Sequence, residues 1–247
     1  MKALILRFDG LLMSFGSFIV DQHGYTDTFP GTSMLTGLTA NALGWTHADF
    51  EKLEALQRRI IYAARWDEEP QTIIDYHTVD LGQPKMSSPG WTTRGTPEHR
   101  SGGPAARFGT HQRYRHYWTD GLMTVALGLK EESVHPTLLD LYEAFKRPAR
   151  PLFLGRKTCL PSRPLLDPVT PIVEGENILS ILSQVPVWDR HGTVVTEERK
   201  YRANWPAELN AAVRSQVREV YDLRDWRNQV VYGPSRRAEG YIGGAKS

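Results

Sequence analysis

The chain has 247 residues, 40% of them hydrophobic, and a formal charge of +2. That is enough apolar material for one real core, alone or with a small appendage, and too little net charge for the total to indicate a polyanion partner. A single cysteine, Cys159, excludes an internal disulfide framework, and no apolar run approaches the length of a membrane span. No N-terminal stretch has the length and flanks of a signal peptide, so a cytoplasmic protein without membrane contact is expected.

Lys2 to Phe8 (KALILRF) is a short apolar run without a helix or strand breaker and is expected to be a central strand. Asp9 to Phe29 is glycine-rich and mixed, and reads as an irregular connection over the end of that strand. Within it Leu12, Phe15 and Phe18 suit either a partner-facing surface or the core at the loop base. Pro30-Gly31-Thr32-Ser33 is a turn with candidate caps, and Met34, Leu35, Leu38, Ala42 and Leu43 then recur near helical period until Gly44. Gly37 inside this helix costs about 1 kcal/mol relative to alanine. Close approach by a phosphate or another backbone would justify it; a tolerated defect is the alternative. Asp49 to Arg59 reads as a second helix with Phe50, Leu53 and Leu56 inward.

Ile60–Trp66 and Gln71–Val79 both read as strands, and the acidic turn between them suggests a hairpin. Leu122–Leu129 is another core strand, and Pro136–Phe145 a helix closed by Pro148. Asp167–Pro186 holds a short amphipathic segment with Ile178, Leu179, Ile181 and Leu182. Val187-Trp188 and Thr193–Tyr201 read as strands around an Asp189–Gly192 turn, Val217–Leu223 as a last strand, and Gly233–Ser247 as a fraying tail. The order matches an α+β, ferredoxin-like βαββαβ module over residues 1–150, followed by a smaller β-rich part over 151–247, a second sheet layer packed on the first.

Charge is distributed unevenly. Gln83 to Trp118 carries Lys85, Arg94, Arg100, Arg107, Arg113 and Arg115 against Glu98, with His99, His111, His116, Trp91, Phe108, Tyr114 and Trp118 interleaved. Arginine forks contact phosphates and aromatic faces stack bases, so this insertion suits a nucleic-acid surface; a solvated loop is the plainer reading. Arg147 to Arg163 adds Arg147, Arg150, Arg156, Lys157 and Arg163 with no acid, and its Gly155-Arg156-Lys157 corner is a candidate phosphate cradle.

Catalytic signals are weak. Asp75 and His77 share one side of a strand, but no nucleophile motif accompanies them. The histidines lack metal-site spacing, and no Walker loop or GxGxxG fingerprint occurs, so neither metal nor cofactor is expected. A histidine-based RNA cleavage site remains the chemical alternative.

Several runs, in order, resemble one family: LILRF, FPGTSMLTGLTANALGW, DYHTV and PLFLGRKTCLPSRPL. The chain resembles the Cas-five family subunit of the type I-E CRISPR surveillance complex called Cascade. The resemblance implies a ferredoxin-like, RNA-recognition-type fold with a thumb hairpin, here the basic insertion near 83–118. It implies a non-catalytic subunit that binds the 5′ handle of CRISPR RNA and caps the foot of the backbone filament. Its neighbours would be the Cas-seven family backbone subunit, the large Cse-one subunit and other Cascade subunits, with target DNA met indirectly or near the thumb. Relatives in other subtypes cut precursor RNA, and a purely structural cap is the third possibility. Under this resemblance Gly155, Arg156 and Lys157 are expected on the handle backbone, Thr32, Ser33 and Gly37 at its phosphates, and Tyr76 and His77 along its groove. Arg107, Arg113 and Arg115 would reach guide RNA or acids of a neighbouring subunit.

Overall fold

A computed structural model describes residues 1–80, 90–91, 97–98, 110–196, 199–209 and 214–243. Strand β1 (Lys2–Asp9) leads through two-residue strands β2 (Ile19–Val20) and β3 (His23–Gly24) to helices α1 (Thr32–Ala42) and α2 (Phe50–Arg59). Strands β4 (Ile60–Glu68) and β5 (Gln71–Asp80) follow, then the short pair β6 (Gly90–Trp91) and β7 (Pro97–Glu98), then β8 (Thr110–Thr119) and β9 (Leu122–Leu129). Helix α3 (Leu138–Lys146), strand β10 (Ile172–Glu174), helix α4 (Ile178–Gln184) and strands β11 (Lys200–Pro206), β12 (Ser215–Asp225) and β13 (Val230–Gly243) complete the order.

The main sheet has seven strands in the order β10-β1-β9-β4-β11-β13-β12, antiparallel at every junction. Its two faces explain the lack of polar alternation from Ala3 to Leu6 of β1. Leu4, Leu6 and Phe8 pack with Leu35, Leu56 and Leu141 of α1, α2 and α3. Ala3 and Ile5 point the other way, against Ile178, Ile181 and Leu182 of α4. A strand covered on both faces has no polar side to alternate with. Helix α3 starts where Thr137 and Asp140 form a reciprocal capping box, and Asn177 with Ser180 does the same for α4. Among the described residues no helix is long and apolar enough to cross a membrane.

Three expectations are corrected. Strands β4 and β5 do not pair with each other. They run on consecutively, β4 against β9 in the main sheet and β5 against β8 in a four-stranded sheet ordered β2-β3-β8-β5. The returning limb matches them, Glu68 opposite Leu122 and Gln71 opposite Thr119. One long ribbon therefore leaves the core and bends at Gly121, where a Cβ would lie 2.6 Å from Trp66 and 2.8 Å from Pro70. The hairpin arms thus begin at residue 71, ahead of the insertion expected near 83–118. Secondly, the chain after residue 150 is not a second layer: β11 pairs with β4 and carries β13 and β12 into the same sheet. Thirdly, β12 is not the last strand, and much of the expected tail is the 14-residue β13. Ala238 and Ile242 enter the core there, and Gly240 lets Trp205 and the backbone at Arg214 approach within 3 Å of its missing Cβ. Among the described residues between Trp188 and Tyr201, a single bridge, Trp188 to Val194, forms before β11 begins at Lys200.

On the α4 face the core holds charge. Arg7, Arg65, Asp67 and Asp167 are all buried. The Arg7 guanidinium donates to Asp167 and Asp67 at 2.8 Å each, and Arg65 Nε donates to Asp67 at 2.7 Å. Thr124 Oγ1 donates to Asp67 at 2.6 Å. The remaining arginine N–H groups reach the carbonyls of Leu182 in the last turn of α4 and of Val185 and Pro186 just past it. Burial draws the Arg7 pKa down while Asp67 and Asp167 oppose it. Asp67→Ala leaves two buried guanidinium groups short of their shared acceptor, and a loss of about 3–5 kcal/mol is expected from urea unfolding. A loss below about 1 kcal/mol would show that the network is not what fixes α4 to the sheet.

Candidate nucleic-acid interface

The Gly155–Lys157 corner is a tight turn made from local backbone bonds. Leu154 N–H donates to Cys159 O at 2.7 Å and Cys159 N–H to Arg156 O at 2.8 Å, while Ser14 N–H donates to Leu154 O at 3.0 Å. Gly155 has φ +104, and a Cβ there would sit 1.6 Å from Ser14 O. Glycine is required on both counts. The turn sends its two cations in different directions. Arg156 is half-buried: Nη1 donates to His116 O at 3.2 Å, Nη2 to Gly24 O at 2.9 Å, and the guanidinium lies 4.8 Å from the Tyr117 ring centre. It clamps β3 and β8 at the hairpin base. Lys157 is exposed and turns into a groove.

That groove, about 470 Å³, runs between α1, the Arg150–Lys157 segment and the β12–β13 turn. It brings together Ser33, Gly37, Gly155 and Lys157, four of the residues expected to contact a strand, with Arg150, Arg224, Trp45 and Trp226. Gly37 faces the Trp226 ring at 3.7 Å from a built Cβ, ordinary contact rather than the close backbone approach entertained for it. Trp226 is 4% exposed and donates through Nε1 to Gln57 at 3.1 Å. Arg224 lies 5.3 Å from the Trp226 ring centre and bonds Gln229 Oε1 at 2.8 Å. Arg150 caps the Trp45 carbonyl. The Nε atoms of Arg150 and Arg224 are buried without a hydrogen-bond partner. The result is a concave surface with cations on its rim and indole on its floor.

Thr32 behaves differently from Ser33. It is buried, and its backbone N–H is taken by the Asp222 carboxylate, which also accepts from Ser235 Oγ at 2.6 Å. A carboxylate of the protein itself thus occupies the amide of Thr32 at the start of α1.

The remaining expected residues lie on the hairpin. Tyr76 (50% exposed) packs on Tyr114 at 5.0 Å, and His77 Nε2 meets Asp75 at 2.5 Å. Directly opposed residues share a face, so Asp75, His77, Arg113 and Arg115 form one charged face, with Tyr76, Tyr114 and His116 on the other. Arg113 and Arg115 are exposed, and Arg113 also reaches Asp21 O at 3.4 Å. Arg107 lies outside the described residues, as do Lys85, Arg94, Arg100, His99 and Phe108. Phe15 is buried, Leu12 half-buried and Phe18 exposed, beside Leu11, Ile19 and Val20.

A second constellation was not expected as a pair. His23 Nδ1 and His116 Nε2 meet at 3.2 Å, with Tyr114 stacked on His23 at 4.6 Å and Tyr25 on His116 at 4.7 Å. Ninety-three positions separate the two histidines, and the two-residue parallel pairing of β3 with β8, clamped by Arg156, brings them together. Arg224 and Trp226 were likewise missed, because nothing near them in sequence marks the turn as part of a site. Among the described residues no group of three or more His, Cys, Asp or Glu side chains is placed to hold a metal ion.

Two outcomes follow from this geometry. Gly155→Ala is expected to lower stability by more than about 2 kcal/mol, from strained φ and the Ser14 collision, measured by thermal unfolding. Burial first, then His23 and Arg156, holds the His116 pKa below the usual 6.5. The unfolded chain therefore takes up this proton at a pH where folded His116 does not. Folding stability is unaffected at neutral pH and falls with acidification through the ordinary histidine range. Comparing unfolding midpoints at about pH 7.5 and about pH 5.5 should show a smaller acid loss in His116→Gln than in the parent.

Comparison with known proteins is consistent across sequence and structure. The family model described as CRISPR-associated protein (Cas_Cas5) matches residues 3–238. The CRISPR system Cascade subunit CasD of Escherichia coli (strain K12) is 31% identical over 172 residues, covering 66% of this chain and 68% of that relative. A chain of a CRISPR RNA-guided surveillance complex superposes with TM-score 0.65 at 20% identity, over 99% of this chain and 90% of that one. A solved Cas protein superposes with TM-score 0.61 at 21% identity, over 99% and 95%. At these identities the structural likenesses speak for the mixed α/β fold alone.

Proposed function

Because this chain belongs to the CRISPR-associated Cas5 family, we propose that it is a guide-RNA-holding subunit of a Cascade-type surveillance complex. It grips the 5′ handle of the CRISPR RNA and caps the foot of the backbone filament without cutting RNA. The observation that carries this is the groove in which Ser33, Gly37, Gly155 and Lys157 converge with Arg150, Arg224 and Trp226. Cationic side chains neutralise ribose-phosphate, and the half-buried ring of Trp45 in the same groove offers a splayed base a surface on which to stack. The corner at Arg156 supports continuity between this groove and the hairpin base, where Arg113 and Arg115 stand exposed. The order β10-β1-β9-β4, with helices in both crossovers, supports reading the N-terminal part as a ferredoxin-like βαββαβ module with β5 and β8 as the arms of its thumb.

The neighbours in this reading are the Cas-seven family backbone subunit and the large Cse-one subunit, with target DNA passing near the hairpin. Exposed Leu11, Phe18, Ile19 and Val20 beside that base support a protein neighbour there.

The test uses Lys157→Glu, an exposed change at the groove rim. Complexes assembled with it should retain less guide RNA, and the log–log salt slope of RNA binding should fall by roughly one unit per lost phosphate contact. Unchanged RNA content and slope would count against the groove.

The His23–His116 pair favours a second reading, metal-independent cleavage of precursor RNA with one imidazole as base and the other as acid. The isolated subunit incubated with its own repeat RNA and a chelator is expected to leave it intact. Site-specific cleavage lost in His23→Ala and His116→Ala would establish the second reading instead.

A further inference from the structure

On the other side of the β12–β13 turn from the groove lies a second concavity of about 580 Å³, between α2, the start of β4 and β13. Its floor contains Arg237, 4% exposed, and its rim carries exposed Arg58, Lys130 and Arg236. Arg237 donates from Nε to Asn204 at 2.7 Å and from Nη2 to Tyr62 O at 3.0 Å, with its guanidinium 3.8 Å from the Tyr62 ring centre. The contrast with the α4 face is instructive. There each buried arginine touches a carboxylate directly. Here, among the described residues, none of Arg58, Lys130, Arg236 and Arg237 has a carboxylate at ion-pair distance.

The acids around Arg237, namely Asp222, Glu208 and Glu239, act on it through space, and none bonds it directly. Asp222 is held by Thr32 N–H and Ser235, and Glu239 by Arg218 at 2.8 Å. Tyr62 offers no negative charge, since burial pushes its pKa up to about 12. Glu208 is the one acid on the wall. A buried cation without a direct counter-charge is costly, and an anion seated in the concavity would offset it. The rim also presents the exposed ring of Tyr232, suited to stacking against a base.

We infer that this concavity is a second anchoring site, taking a phosphodiester of a nucleic-acid strand between Arg237 and the Arg58, Lys130 and Arg236 rim. The chemical class of the strand rests on the function proposed above; the site itself rests on four converging cations that no described carboxylate bonds directly. Thr32 lines the concavity and Ser33 lines the groove, so a strand leaving one crosses the first turn of α1 to enter the other.

The experiment measures binding of labelled single-stranded RNA and single-stranded DNA of matched sequence to the full chain by anisotropy, across a salt series. The variants are Arg58→Gln/Lys130→Gln/Arg236→Gln, all exposed, and Lys157→Gln in the groove. Arg236→Gln alone serves if the triple variant loses its parent unfolding midpoint. The pocket variant should lower the log–log salt slope by about 1–2 units. Loss confined to RNA assigns the site to guide, and loss confined to DNA assigns it to target; either supports a phosphodiester site. Unchanged slope on both probes, with Lys157→Gln impaired, overturns the second site and leaves the groove standing. Unchanged binding in both variants overturns both.

Discussion

The buried pairing of Arg7 and Arg65 with Asp67 and Asp167 is the constraint on which the architecture depends. Moving such ions out of water costs several kcal/mol each, and only direct charge-assisted bonds with full satisfaction of the remaining N–H groups offset it. The carbonyls at the C-terminal end of α4 supply that satisfaction, which ties the helix to these charges. Arg7 comes from β1, Arg65 and Asp67 from β4, Thr124 from β9 and Asp167 from the loop before β10. Four separate segments are thereby held in one register at the centre of the sheet. The strands that extend the sheet toward Trp226 and Arg237 start from β4, which carries half of these charges.

The distribution of function over the surface follows from that rigid centre. Each end of the turn at residues 154–159 serves a different element, because Gly155 forces the chain sharply past Ser14. Arg156 looks toward the hairpin and Lys157 toward α1. An arginine whose N–H groups hold two carbonyls is a positioning residue; the neighbouring exposed lysine at the groove is the one available to a ligand. The same division separates Thr32, whose amide Asp222 has taken, from Ser33, which faces open space.

What the sequence made legible was whatever local pattern determines. The mostly apolar Lys2–Phe8, Leu122–Leu129 and the three helices of the first 150 residues carry local apolar pattern, and they formed as expected. Ser33, Gly37, Gly155 and Lys157 do meet. The pairing of β4 and β5 was illegible because Glu69-Pro70 bends a chain as readily as it reverses one; the partners that decide between these lie some fifty residues downstream. Glycines at 233, 240 and 243 disguised β13, although Gly240 is what allows Trp205 and the backbone at Arg214 to pack against it. Arg7 looked like the end of a strand, not the hub of an ion network, since its partners stand 60, 117 and 160 positions away. Arg224, Trp226 and Arg237 gained their settings only from long-range pairing.

The continuous ribbon from β4 into β5 and from β8 into β9 has a consequence for how such a protein can vary. Because the two arms are hydrogen-bonded in register from Gln71 with Thr119 to Asp80 with Thr110, adding or removing two residues on each arm preserves which side chains lie on which face. Every such step changes the projection by about 7 Å, at ~3.4 Å per residue. Reach can therefore be adjusted in discrete increments like the teeth of a ruler, while the charged and aromatic faces, the bend at Gly121 and the body beneath keep their orientation.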